Sequence, residues 1–247
     1  MKKNAMLKIA AILMVAVLLT TCAISSTFAK YITTGEGDAS ARVAKWGVEV
    51  TVDADEAFYT NYHTGTNDIV VAGTKVVAPG TQSLNAIVIT VKGTPEVDAT
   101  IDFGDSNFLQ LGNNWKSGGV DYCPLIFKVG TENYYIGKTG IASVNELQEA
   151  VNDAIKDALD EEFVANVETN ISIKVGWTWN FEQPTDLTGL TGFTQDNDKD
   201  SDLGDIAATD TANAPTVSFD ATITVAQTGS NFATNGAYVA PADPEGE

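Results

Sequence analysis

Histidine and cysteine are nearly absent from this chain of 247 residues, which contains one histidine and two cysteines. A zinc protease motif of the HExxH type needs two histidines on one helical face, so His63 cannot form it alone. Serine and cysteine hydrolases pair the nucleophile with a histidine base, which leaves Cys123 with His63 as the one thiol pair to consider. The sequence also lacks a GxSxG motif and a glycine-rich phosphate loop. We therefore predict that the protein is not an enzyme.

Long apolar runs are also missing after the first thirty residues. The one such run covers residues 9–19, follows three lysines, and is too short to span a bilayer. Small residues then lead to Thr27-Phe28-Ala29, which fits the small-x-small pattern of a signal peptidase site. We predict a signal peptide over residues 1–29, cleavage between Ala29 and Lys30, and no membrane segment in the mature chain.

A second interpretation of the same region is a lipoprotein. Leu19-Thr20-Thr21-Cys22 resembles a lipoprotein processing box. Thr21 is larger than the small residue that usually precedes the acylated cysteine, which disfavours this alternative.

Basic residues are scarce, with 14 lysines and arginines against 33 acids. Residues 1–29 hold three of those lysines and no acid, so the mature chain has 11 basic residues and a net charge of −22. Such a surface repels nucleic acid and anionic membranes, and we predict neither as a partner. Because Cys123 is the one cysteine left after cleavage, no intramolecular disulfide can form.

Four segments alternate between apolar and polar residues with the period of two that indicates a half-buried strand. They cover residues 46–53, 97–103, 171–181 and 217–225. In the first of them, Trp46, Val48, Val50 and Val52 are predicted to face inward. Residues 84–91 become apolar on both faces, which is typical of a central strand. Shorter candidates are residues 69–72, 75–77, 125–129 and 134–136.

About eight short strands separated by Gly, Asn, Asp and Pro predict a mainly β fold, a two-sheet antiparallel sandwich or jelly roll. One segment departs from this pattern. Ser143-Val144-Asn145-Glu146 has the S-x-x-E form of a helix capping box, and apolar residues then recur at helical spacing as far as Phe163. We predict one inserted amphipathic helix over about residues 143–164.

The chain then divides into four parts. The signal peptide (1–29) precedes an N-terminal arm (30–44) that could donate a strand, and the β-sandwich domain follows over residues 45–228. Residues 229–247 lose the periodic pattern and end in Pro-Glu-Gly-Glu, so we predict a flexible acidic tail.

An acidic stretch offers the one candidate metal site. Asp196, Asp198, Asp200 and Asp202 lie at alternate positions, and the first three match the opening of an EF-hand calcium loop. The match then fails, because Ser201 stands where position six needs glycine and Ala207 where position twelve needs glutamate. Two interpretations stay open: a calcium-binding loop of another shape, and an exposed acidic hairpin loop. No other cofactor is predicted.

Three aromatic residues on one strand also allow two interpretations. Trp177, Trp179 and Phe181 could form a platform for stacking sugars, but inward-facing Val and Ile on neighbouring strands favour a place in the core. For the thiol and the imidazole, we expect Cys123 to be buried at a strand entrance and His63 to lie in an exposed loop.

Several motifs together carry a family resemblance. They are Phe28-Ala29-Lys30-Tyr31, Ala41-Arg42-Val43-Ala44-Lys45-Trp46-Gly47, Ala78-Pro79-Gly80-Thr81, Trp177-Thr178-Trp179-Asn180-Phe181-Glu182 and Asp200-Ser201-Asp202-Leu203-Gly204. The first two resemble the mature start of exported Gram-positive proteins that are cleaved by the SipW-type signal peptidase. The others are similar to the proline-glycine turn, the tryptophan strand and the D-T-x-L-G stretch of the TasA/camelysin family.

The resemblance implies a jelly-roll subunit of extracellular fibres in the biofilm matrix, whose mature N-terminal segment completes the sheet of the next subunit. The donor would be residues 30–39, in which Tyr31, Ile32 and Thr33 suit a strand but Gly35-Glu36-Gly37-Asp38 does not. The implied partners are copies of the chain itself and a minor fibre or anchor protein.

From these features we expect a secreted structural protein of the cell surface or matrix that assembles with itself. Two alternatives remain open at this point. One is a monomeric cell-surface module that binds a glycan or a fibre partner. The other is a camelysin-like metallo-endopeptidase, which the single histidine disfavours.

Overall fold

Alternating apolar residues form a β-rich, sandwich-like fold in the computed structural model, which describes residues 42–103, 107–112 and 114–228. In chain order the elements are β1 (Val48–Asp53), β2 (Tyr59–Thr64), β3 (Asn67–Val76), β4 (Gln82–Gly93), β5 (Ala99–Asp102), β6 (Leu109–Gly112), β7 (Lys116–Ser117), β8 (Val120–Asp121), β9 (Leu125–Val129), β10 (Glu132–Tyr134), α1 (Val144–Leu159), β11 (Glu162–Phe163), β12 (Thr169–Trp179), α2 (Asn197–Thr209), β13 (Thr216–Phe219) and β14 (Thr224–Gln227). The described residues from Lys45 onward belong to one compact unit.

Several predictions from the sequence lie outside the described residues. These are the signal peptide, Cys22, the cleavage site between Ala29 and Lys30, the arm residues Tyr31, Ile32 and Thr33, and the tail over 229–247. In the part of the chain that is described, no helix is long and apolar enough to cross a membrane.

The largest sheet has five antiparallel strands in the order β1-β4-β12-β9-β10. Strand β4 lies inside this sheet, as its two-sided apolar pattern predicts, with Ile87, Ile89 and Val91 fully buried. Strand β9 has the bounds predicted for residues 125–129. The middle of this sheet therefore follows directly from local hydrophobicity.

The opposite layer is assembled from smaller pieces. Strands β11, β5 and β14 form one short sheet in the order β11-β5-β14, and β13 pairs with β6 in another. Helix α1 packs beside β6 and against β9, β10 and β12, so it takes a position in this layer. Two hairpins, β2–β3 and β7–β8, complete the described elements.

Helix α1 forms where the sequence predicts it but is shorter. Ser143 caps the helix with the reciprocal capping box to Glu146, and Leu147, Val151, Ile155 and Leu159 are completely buried. The helix ends at Leu159, so the predicted extension to residue 164 is wrong. Phe163 instead pairs with Ala99 in β11–β5 and is buried there. Pairing with a strand buries this phenylalanine as well as a further helical turn would.

Replacing Ser143 with alanine is expected to lower the free energy of unfolding by about 1 kcal/mol, because the Glu146 backbone N–H loses its capping oxygen. Chemical denaturation would measure the change. Ser143→Asp serves as the control, since aspartate caps equally well and is expected to stay within about 0.5 kcal/mol of the unmodified protein. Equal losses in both variants would contradict the capping role.

The prediction of a single helix is wrong, because residues 197–209 form the second helix α2. Its apolar periodicity is weak, since Leu203 is its one buried apolar residue. The carboxylate of Asp196 accepts hydrogen bonds from the backbone N–H groups of Asp198 and Lys199, which caps the N-terminus. An Asp cap and a first turn rich in acids stabilise a helix that hydrophobic spacing does not reveal.

Other strand predictions need correction at the edges of the fold. Residues 217–225 form two strands rather than one, because β13 pairs with β6 whereas β14 pairs with β5. Residues 69–72 and 75–76 belong to the single strand β3, which ends at Val76 and forms a hairpin with the unpredicted strand β2. Phe181 lies beyond the end of β12 and is exposed. The division of residues 217–225 is decided by pairing with distant segments, because β6 and β5 lie more than a hundred residues earlier in the chain.

Candidate strand-docking edge

Strand β1 is an edge of the five-stranded sheet and has six residues. Within the described residues it pairs only with β4, in a register that places Val50 opposite Val91 and Val52 opposite Ile89. In an antiparallel pair, every second residue directs its backbone N–H and C=O away from the partner strand. The outer side of β1 therefore presents a row of backbone groups that a further strand can pair with.

The side chains of β1 are not covered like those of its neighbour. Val91 and Ile89 are completely buried, whereas Val50 and Val52, on the same face of the sheet, are 36% and 38% exposed. Sequence alternation placed these valines inward, and the structure leaves them partly exposed at the edge of the sheet. The apolar core thus reaches the surface along β1.

The opposite layer also ends in an edge at this point. Strand β14 pairs only with β5 among the described strands, and it lies against β1. Ile223 and Val225 are half-buried and pack against the core. We call the boundary where these two edges meet the β1–β14 seam. It combines two strand edges with partly exposed apolar side chains from both layers.

In contrast, the edge of β6 is covered by helix α1. On the side away from β13, Asn152 accepts a hydrogen bond from the Leu109 N–H at 2.7 Å and donates one to the Leu109 C=O at 3.0 Å. One turn earlier, Gln148 accepts from the Leu111 N–H at 2.7 Å. Two side-chain amides thereby take the place of a neighbouring strand, and no further strand can pair with β6 there.

The far edge of the five-stranded sheet is also protected. Strand β10 has three residues, and the Lys138 ammonium donates to the Asn133 C=O at 2.6 Å. The same ammonium lies 3.6 Å from the Glu132 carboxylate and 4.2 Å above the centre of the Tyr134 ring. A short edge strand with a lysine across it resists the addition of another strand. This leaves β1 as the long open edge of this sheet.

The structure does not gather the four aspartates of the candidate calcium site, which is therefore wrong as a shared ligand set. Asp196 caps α2, Asp198 is exposed, Asp200 points inward, and Asp202 accepts a hydrogen bond from Ser117 in β7. In a helix, residues two apart point in nearly opposite directions. Among the described residues, no group of three or more His, Cys, Asp or Glu side chains is arranged to hold a metal ion. The alternative of an exposed hairpin loop is also wrong, because the segment is helical.

Asp200 is instead the centre of a buried polar contact that attaches α2 to the sheet. Its carboxylate accepts hydrogen bonds from the Tyr122 hydroxyl at 2.7 Å and from the Gln195 amide. Burial raises the pKa of Asp200, and the hydrogen bonds from Tyr122 and Gln195 oppose that rise. The Trp179 indole N–H also lowers the pKa of Asp200, although its distance or angle to the carboxylate is outside the normal range of a hydrogen bond. In the described part of the chain, the Trp179 N–H and the Gln195 amide oxygen have no hydrogen-bond partner of normal geometry. This cluster has a structural explanation and needs no ligand.

The remaining candidate residues have structural positions. Trp177 and Trp179 are buried in the core, as the sequence analysis favoured. Cys123 is buried just before β9, and burial raises the pKa of its thiol to about 12. His63 is exposed as predicted but lies in strand β2, where its Nδ1 is 3.1 Å from the Asp68 carboxylate. The structure therefore gives His63 another partner than Cys123.

Sequence reasoning missed the three features that distinguish the edges: the seam itself, the Asn152–Gln148 amide pair and Lys138. One of them had a local signal, because two amide residues four apart lie beside the apolar stripe of α1. The other two depend on which strands end up at the edges. No family model, curated protein or solved structure matches this chain, so its function must be argued from this geometry.

Proposed function

We propose that this protein is an exported structural subunit that assembles with copies of itself into extracellular fibres, by adding a strand from one copy to the β1–β14 seam of the next. The observation that carries the proposal is the difference between the edges. The described edges of β6 and β10 are covered by side chains, whereas six-residue β1 is open and exposes core-facing valines. Export is predicted from the signal peptide, and a matrix or cell-surface location is what the resemblance to the TasA/camelysin family implies.

The proposed donor is the N-terminal arm that signal cleavage frees. Covering six residues of β1 needs an extended segment of about 20 Å. Residues 30–44 can span about 50 Å when extended, which leaves ample chain to reach a neighbouring copy. Tyr31, Ile32 and Thr33 supply side chains suited to a strand. The arm therefore has both the reach and the composition for strand addition.

The test compares mature protein that begins at Lys30 with protein that begins at Lys45, by negative-stain microscopy and sedimentation. Fibres are expected from the first and none from the second, because the second keeps the seam but lacks the donor. The samples should contain about 0.15 M salt, since a net charge of −22 per subunit repels neighbouring copies at low ionic strength. Fibres of the same abundance in both samples would overturn strand donation by the arm.

Two substitutions in β1 then locate the acceptor. Val52→Lys places a charge on the inner face of the seam, and Thr51→Lys places the same charge on the exposed outer face of the same strand. Fibre formation is expected to fail in the first and to persist in the second. Loss in both variants would indicate general charge effects, and loss in neither would exclude the seam.

A second candidate function is a monomeric surface module that binds a small polar ligand. An open pocket of about 250 Å³ lies at the start of β1, lined by residues that include Lys45, Lys92, Glu49 and Asn170. Lys45 and Lys92 are the two cationic residues of this lining, and Lys92 already pairs with Glu49 at 3.2 Å. Monomers from both the Lys30 and the Lys45 proteins at high concentration would favour this candidate.

A further inference from the structure

An exposed apolar patch lies at one end of the molecule, formed by Ile69, Val71 and Phe181. Ile69 and Val71 are both exposed residues of β3, in which Ile69 is the extra residue between the pairs Tyr62–Val70 and His63–Asp68, and Phe181 follows the end of β12. Their side chains are 41%, 70% and 66% exposed. Gly80 lies between Ile69 and Phe181, since a Cβ on this glycine would be 3.5 Å from Ile69 Cγ2 and 3.7 Å from Phe181 Cβ. We call these three residues the end patch.

The patch lies near the start of β4, and the first and last residues of the described unit, Lys45 and Thr228, lie near the other end of that strand. The Gly80 N–H donates to Trp179 C=O just before β4 begins, whereas Gly93 at the end of β4 pairs with Val48. Twelve residues of strand separate these two ends of the sheet by on the order of 40 Å. The end patch and the start of β1 are thus at opposite ends of the five-stranded sheet.

Both termini of the described unit lie at the end remote from the patch. The chain enters at Lys45, whose C=O accepts a hydrogen bond from the Glu96 N–H at 2.9 Å. It leaves at Thr228, whose N–H donates to the Asp98 C=O at 2.9 Å. Glu96 and Asp98 are two residues apart. We call this end the terminal end of the subunit.

We infer that the terminal end of a second copy of this chain covers the end patch. The inference rests on the proposed strand donation, and it specifies how successive subunits are oriented. The arm leaves its own subunit at the terminal end, so that end must face the neighbour whose seam receives the arm. Contact between two terminal ends would be symmetric and would close as a dimer, whereas contact of unlike ends continues indefinitely. The end patch is an exposed apolar surface at the opposite end of the sheet, and we assign it as the unlike surface that the terminal end contacts in an open fibre.

The composition of the patch fits burial by a protein surface. Ile69 and Phe181 lie on either side of Gly80, and Val71 adds a further exposed apolar side chain on the same strand as Ile69. Clustered exposed apolar residues mark an interaction site more often than scattered ones do. Covering Phe181 alone removes the most apolar surface of the three. The patch therefore supplies a contact between subunits that does not involve the arm.

The test substitutes Phe181→Asp in mature protein that begins at Lys30 and measures the critical concentration for fibre formation by sedimentation. Leu187→Asp is the control: Leu187 is 41% exposed, and it lies near Gly189, whose position beside Asn133 puts this loop at the β10 side of the sheet rather than at the end patch. Phe181→Asp is expected to raise the critical concentration about tenfold or more, and Leu187→Asp less than about threefold. Both substitutions remove an exposed apolar side chain and add one negative charge.

The outcomes distinguish the end-to-end contact from strand donation by the arm. Fibres from the unmodified protein with equal critical concentrations in both variants would overturn the end-to-end contact and leave strand donation standing. No fibres from the unmodified protein would overturn both.

Cross-linking gives a second measurement that does not depend on losing assembly. Val167 is exposed at the terminal end, where neighbouring Asn166 donates its N–H to the Pro95 C=O at 2.7 Å. A bismaleimide should join Phe181→Cys of one subunit to Val167→Cys of the next and give a ladder of oligomers, whereas Leu187→Cys with Val167→Cys should not. Buried Cys123 does not compete for the reagent. A ladder of equal strength in both double variants would overturn the assigned contact.

Discussion

Replacing Asn152 with leucine is expected to lower the free energy of unfolding by about 3–5 kcal/mol, although leucine is more apolar and similar in size. Asn152 is buried on α1, and its side chain bonds both the N–H and the C=O of Leu109. Leucine can satisfy neither group. Because Leu109 is completely buried, water cannot replace the lost partners without opening the core. Urea denaturation followed by tryptophan fluorescence would measure the change.

Gln148→Leu is the matched control for this prediction. Gln148 makes one bond, to the Leu111 N–H, and both residues are only partly buried. Its loss should cost about 1 kcal/mol, because water can reach the backbone group. If Asn152→Leu were neutral or stabilising, the amide would be dispensable and helix packing alone would hold β6.

Asp200→Ala is expected to lower the free energy of unfolding by about 2–4 kcal/mol, and Asp200→Asn to change it by less than about 1 kcal/mol. Alanine removes the acceptor for the Tyr122 hydroxyl and the Gln195 amide, which are both buried. Asparagine keeps an oxygen for Tyr122. If the side-chain amide of Gln195 rotates by 180°, the NH2 group of the introduced asparagine can donate to the Gln195 oxygen. That oxygen otherwise has no partner in the described residues. Thermal and urea unfolding would compare the three proteins.

The pH dependence should separate the buried charge from the hydrogen bonds. Burial raises the pKa of Asp200 in the folded state above its unfolded value of about 4. The folded protein therefore takes up this proton first as the pH falls, and the cost of the buried charge disappears between the raised pKa and pH 4. The unmodified protein should gain stability relative to Asp200→Asn over that interval. A difference that does not vary between pH 7 and pH 4 would contradict a buried carboxylate.

Asp196 and Glu146 change the stability in the opposite direction as the pH falls, but their contributions are the same in the unmodified protein and in Asp200→Asn. Hydrogen bonds from backbone N–H groups lower the pKa of Asp196, with the Lys199 N–H the largest cause and Lys199 charge a lesser one. A hydrogen bond from the Ala142 N–H is the main cause of the lowered pKa of Glu146. Stability that depends on these exposed carboxylates is lost as the pH falls through their lowered pKa values. Both variants retain them, so the difference reports Asp200.

The sequence predicted the elements whose stability is local. Residues 125–129 form β9, the alternation of residues 171–179 forms β12, and Ser143 with Glu146 marks the start of α1. These predictions succeeded because a period of two or 3.6 residues, or a cap, acts within a few residues of the chain. The buried Trp177 and Trp179 were correctly favoured as core for the same reason.

The predictions that failed needed information from distant segments. Residues 196–202 have the spacing of a ligand loop, but they form part of a helix, and Asp200 and Asp202 face different partners, Tyr122 and Ser117, from distant parts of the chain. The spacing of Phe163 predicts a helical position, but Phe163 pairs with Ala99 of β5 as part of a strand. Val50 and Val52 alternate like core residues, and only their position at the edge of the sheet exposes them.

By itself, the sequence determined a mainly β fold, a helix that begins close to residue 143, the scarcity of catalytic side chains and the acidity of the chain. These properties are set by composition and by periodicity over short stretches, which do not depend on what packs against them. Only the tertiary structure decided which strands are edges, which edges Asn152 and Lys138 cover, and that β1 and β14 leave a seam between them. Edges are defined by the absence of a neighbour, and a neighbour is chosen by contacts between residues far apart in the chain.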